Sequence, residues 1–202
     1  MLRAALDSRA LFRLALALPA VAILWGFFRT HYSFGQLIGD SGEWSARLLI
    51  ATLAITPVRL LLRQIGLSPQ WPMWLFKRRR DLGIAAFLYA LLHLGAYVVR
   101  QSNINVILYD LPYKEYLTGW IASAAMLLLA VTSNDWAVHA MGTSWKLLQR
   151  LSYLAAATLY LHWLWIRLDH WPAYVHFLPL VLLEAYRLWH DFARPGARHR
   201  TE

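Results

Sequence analysis

Two histidines lie inside apolar stretches long enough to cross a bilayer: His93 in Leu91-Leu92-His93-Leu94 and His162 in Tyr160-Leu161-His162-Trp163. An ionisable side chain in such a stretch is costly to bury in lipid and points to a functional role. His93 follows Leu82 by eleven residues, and His162 follows Arg150 by twelve. At about 1.5 Å per helical residue, both lie roughly 17 Å from the same end of their helices. Two imidazoles at equal depth on parallel helices can take the opposite axial positions of one heme, leaving the macrocycle between the helices. The bland alternative is that each histidine hydrogen-bonds a neighbouring helix.

The flanking residues agree with a flat, bulky ligand. Three-and-four spacing puts Ala86, Ala90 and Tyr97 on the face of His93, and Leu151, Ala155 and Thr158 on the face of His162. Ala90, Ala155 and Thr158 are therefore the expected pocket walls, although small residues also serve close helix packing in membranes. His176 lies near the depth of His162 on the next helix. It reads as an interfacial histidine, an alternative ligand or a hydrogen bonder to a heme propionate. The other five histidines fall outside the apolar segments. Glu43 with Arg47, and Glu184 with Arg187, are spaced to form pairs along a helix.

These side chains need helices to position them. Of the 202 residues 59% are hydrophobic, with eleven Trp and ten Tyr, a composition that fits a membrane protein with aromatic belts. The chain is expected to be all-α, one transmembrane domain over 1–202, with six spans at roughly 11–28, 46–62, 82–99, 116–132, 150–167 and 172–189. With the N-terminus inside, fifteen Lys and Arg lie on the cytoplasmic side against at most five outside. Both termini are then cytoplasmic. The +9 net charge is explained by this topology, so nucleic acid is not an expected partner and membrane lipid is. The outer segments 29–44 and 100–115 are read as loops and as the docking face.

There is no cysteine, which excludes disulfides, iron–sulfur clusters and covalently attached c-type heme. Nothing in the chain resembles a nucleotide-binding or zinc-protease motif. Reducing power must come from another protein or a lipid-soluble donor.

Several segments resemble the MsrQ (YedZ) family, the heme-binding membrane subunit of the bacterial methionine sulfoxide reductase system, within the ferric-reductase-like transmembrane group. They are Leu49 through Pro57, Arg79-Arg80-Asp81-Leu82-Gly83 with Leu92-His93-Leu94, and Gly142 through Leu148 followed by Tyr153 and His162-Trp163. The resemblance covers roughly residues 40–167. It implies a b-type cytochrome of the bacterial inner membrane with no substrate chemistry of its own. Electrons would come from the quinone pool or a cytoplasmic flavin reductase and leave to a periplasmic molybdopterin reductase that repairs oxidised methionine, with FMN as a further cofactor. The family commonly carries a histidine thirteen residues before the outer one of the fifth span. Here that residue is Gln149, and Arg80 is level with it on the third span. One heme on His93 and His162 is expected, and a second, inner heme is not. A flavin or quinone near Trp71, Trp74 and Arg78–Arg80 would bridge the inner half. The competing readings are a metal-reducing or respiratory quinol-coupled cytochrome, and a non-redox transporter or scaffold.

Overall fold

The computed structural model describes residues 8–30, 32–166 and 169–193, and among these it is all-α, without a strand. The helices are α1 Arg9–Arg29, α2 Phe34–Gln64, α3 Gln70–Phe76, α4 Arg79–Gln101, α5 Ile104–Asp110, α6 Lys114–Val131, α7 Asp135–Met141, α8 Thr143–Leu148, α9 Leu151–Ile166 and α10 Trp171–Ala193. Each of the six expected spans coincides with one long helix. Among the described residues, α1, α2 and α4 are long and apolar enough to cross a membrane. A fourth is added if α6 and α7, bent by 92° at their junction, count as one span.

The largest departure is the start of α2. The segment 29–44 reads as a loop because Gly35, Gly39, Asp40, Ser41 and Gly42 dilute its apolar pattern. Instead Ser33 opens a helix there with a reciprocal capping box to Gln36. At 31 residues, α2 is about 46 Å long. It exceeds the roughly 30 Å hydrocarbon core. The other presumed outer loop contains the short α5.

α2 is the central element. It packs against α4 along its length, and also against α1, α9 and α10, while α6 packs mainly on α9. Small residues allow the closest approach of α2 and α4: Ser45 is buried and donates its hydroxyl to the Ala86 carbonyl at 2.9 Å. Around this seam Leu49, Leu53, Leu82, Tyr89, Ala125 and Ala155 form the core. Tyr89 ties α1 to the bundle. Its hydroxyl accepts from Ala20 N–H and donates to Leu16 O, both at 2.8 Å, and so is inserted into the α1 ladder beside Pro19.

Ion pairs gather at the opposite end of the bundle. Arg13 meets Asp81 at 2.8 Å, Arg80 meets Asp135 at 2.7 Å and Arg187 meets Glu184 at 3.0 Å. The basic run therefore does not form one patch. Arg78 is buried, with its guanidinium 4.0 Å from the Trp74 ring centre, whereas Arg80 points to Asp135.

Candidate functional site

The bundle encloses a cavity of about 290 Å³ between α2, α4, α6 and α9. It lies at the lower edge of the usual range for ligand pockets, about 300–1,000 Å³. His93 and His162 both line it, with ring centres 6.0 Å apart and ring planes at 88°. The two histidines singled out by depth in the sequence are thus brought together on one cavity.

Each ring is held in the same way. His93 Nδ1 lies 2.8 Å from the Ile38 carbonyl of α2, and His162 Nδ1 lies 2.5 Å from the Glu115 carbonyl of α6. A carbonyl oxygen only accepts, so in each case Nδ1 carries the proton and donates it. The second nitrogen, Nε2, then keeps its lone pair for a metal. Ile38 precedes Gly42 by one helical turn, and Glu115 likewise precedes Gly119. A Cβ at Gly42 would stand 2.7 Å from His93 Nδ1, and one at Gly119 would stand 2.9 Å from His162 Nδ1 and Cε1. The missing side chains uncover the carbonyls one turn earlier, and the imidazoles fill the space.

The rest of the lining is small or aromatic. Gly35, Gly39, Ala90, Ala122 and Ser123 give room, while Tyr97, Tyr116, Trp120 and Trp163 close the walls. Among the expected wall residues, Ala90 lines the cavity. Ala155 and Thr158 do not. Ala155 is fully buried in the helix seam, and Thr158 turns its hydroxyl to the Leu154 carbonyl of its own helix at 2.8 Å. Sequence reasoning missed the whole contribution of α6. The spacing Gly119, Ala122, Ser123 on one face was the available signal.

His176 is placed beside the cavity wall, its ring 5.2 Å from that of Trp163. Both nitrogens are engaged. Nδ1 donates to the Pro172 carbonyl at 2.7 Å, and Nε2 accepts from Arg47 Nε at 3.3 Å. Glu43 Oε1 approaches Nε2 at 3.9 Å. Glu43 lines the outer part of the cavity and is bonded to Arg47, as its spacing predicts. His139 and His170 are exposed, whereas His31 and His199 lie outside the described residues. Trp71 is exposed, Arg78 stacks on Trp74, and Arg80 turns to Asp135.

Residues 41–160 match the family described as the ferric reductase like transmembrane component. The protein-methionine-sulfoxide reductase heme-binding subunits MsrQ of Brucella ovis, Brucella canis and Brucella melitensis are each 36% identical to this chain over 191 residues, covering 89% of it and 80% of the relative. The chain belongs to the MsrQ family. The ferric-reductase-like match spans the residues from the second half of the α2 seat to the turn of α9 just before His162. No solved structure matches the chain.

Proposed function

We propose that this chain is a b-type cytochrome subunit that carries electrons to a partner methionine sulfoxide reductase, with His93 and His162 holding the iron of one heme. The observation that carries this reading is the pair of imidazoles on one cavity, each with its Nδ1 proton committed to a backbone carbonyl. Two histidines on one metal, with bonds of about 2 Å and about 1 Å from nitrogen to ring centre, stand about 6 Å apart. The 6.0 Å separation fits that requirement. Small residues on three helices leave space for a flat macrocycle, and the aromatic walls exclude water. The relatives in Brucella are named for heme binding, which supports heme as the ligand.

Bound heme supplies a one-electron ferric–ferrous couple. The protein supplies ligand orientation through the Ile38 and Glu115 carbonyls, and a dry, apolar surround through Leu94, Met126, Leu159 and Ile166. Glu43 and Arg47 form the polar edge of the cavity. Six spans with both termini cytoplasmic, in the bacterial inner membrane, put this cavity in the outer half of the bilayer. The electron acceptor is then a periplasmic molybdopterin reductase, and the donor is the quinone pool or a cytoplasmic flavin reductase. Gln149 and Arg80 supply no axial ligand at the inner level, which supports a single heme.

The rival reading, in which the histidines only join helices, rests on the same two carbonyl bonds, but it gives no task to Nε2 of either ring. A reduced-minus-oxidised visible spectrum of the purified protein separates the two. A low-spin b-type spectrum that is lost in both His93→Ala and His162→Ala and kept in His176→Ala is the expected result. A colourless native protein would overturn the cytochrome reading.

A further inference from the structure

The two histidine seats repeat one construction, and that construction fixes more than the tautomer. On α2 the unit is the Ile38 carbonyl with Gly42, and on α6 it is the Glu115 carbonyl with Gly119. The hydrogen bond stops each imidazole from turning about its Cβ–Cγ bond, and the bare glycine backbone forms the wall against which the ring lies. The ring planes that result are crossed at 88°. We propose that Gly42 and Gly119 are positioning residues that hold the two axial imidazoles crossed, with their Nδ1 protons donated to the helix backbone, and thereby set the electronic state and the potential of the iron. This rests on the heme reading above.

The physical consequences are specific. Donation from Nδ1–H makes an imidazole more basic and a stronger electron donor to the metal, which favours the ferric state. Crossed rings direct their π orbitals to different iron d orbitals and leave those orbitals nearly equal in energy. Coplanar rings would split them. An alanine at either glycine puts a methyl group 2.7 or 2.9 Å from the ring atoms, so the ring must turn away from its carbonyl. That ligand then loses its hydrogen bond and its fixed plane together. Glycines needed only for close helix approach would show neither effect, because repacking the helices leaves the hydrogen bonds intact.

The test uses the full-length protein in detergent, with ferric electron paramagnetic resonance and a redox titration followed by absorbance. The native protein is expected to give a strongly anisotropic low-spin signal. In Gly42→Ala and in Gly119→Ala the signal should move toward the rhombic form of coplanar ligands, and the midpoint potential should rise. Gly95→Ala, on the histidine helix but with open space around an added Cβ, should change neither. A rhombic signal in the native protein overturns the proposal, as do alanine variants that keep the native signal and potential. If one alanine variant fails to hold heme, the native signal and the other variant decide. Heme retained in both His93→Ala and His162→Ala would instead bring down the underlying heme assignment, an outcome separable from all of these.

Discussion

The two ends of this bundle are built on opposite rules. At the level of His93 and His162 the helices carry glycine, alanine and serine toward one another, and a cavity remains between them. At the other end, Arg13 with Asp81 ties α1 to α4 and Arg80 with Asp135 ties α4 to α7, while Arg187 with Glu184 pairs within α10. The bundle thus keeps a gap where a ligand would need it and is tied across helices where charges meet. Small side chains alone do not make the difference, because Ala86 and Ala155 are as small as Ala90 and Ala122 and yet are fully packed. What opens the cavity is that each histidine ring is braced against a neighbouring backbone and so holds the helices apart at that level.

If this contrast is correct, bulk added at the cavity level should act on the ligand, and changes at the charged end should act on stability alone. The largest effect is expected for Ala122→Leu, a cavity-lining position on α6. Heme absorbance should fall by most of its native value while far-ultraviolet circular dichroism is retained. The packed counterpart Ala155→Leu should instead strain the seam, at a cost of about 1–3 kcal/mol. It should lower the thermal unfolding temperature while the heme that remains keeps its native spectrum. Asp81→Ala removes the buried partner of an exposed arginine. Since Arg13 reaches water, the loss should be about 1 kcal/mol, read as a lower unfolding temperature with an unchanged visible spectrum. Tyr89→Phe should cost less than about 1 kcal/mol, since the freed Ala20 N–H can return to the Leu16 carbonyl.

The smallest effect sharpens the electrostatic side. The hydrogen bond from Arg80, with its positive charge, holds the Asp135 carboxyl below its ordinary range. A carboxyl with a depressed folded value contributes stability above its unfolded value, about pH 4, and that contribution is lost as pH falls through the folded value. Protection of the α7 amides, measured against their intrinsic exchange rates, should therefore fall on acidification through this range, and Asp135→Asn should remove that acid step.

The sequence by itself determined the helical class, the approximate place of each long helix and two histidines that share one cavity. Those properties rest on local information: an apolar run of a given length forms a helix, and the 1.5 Å rise converts residue number into depth. It also determined the Glu43–Arg47 and Glu184–Arg187 pairs, which follow from spacing on one helix. Only the tertiary structure decided which residues on other helices face the histidines. Gly35, Gly39 and Gly42 read as a loop because glycine signals chain freedom in isolation. In the fold they lie in the first turns of α2, and the bare backbone at Gly42 is what admits the His93 ring. The same holds for Gly119 and the face of α6. Ala155 and Thr158 share a helical face with His162, yet both are buried in packing between helices and do not reach the cavity. His176 has the depth of a ligand, but its nitrogens are used by Pro172 and Arg47. A glycine or a histidine acquires its role from what approaches it, and that approach is set by packing between segments far apart in the chain.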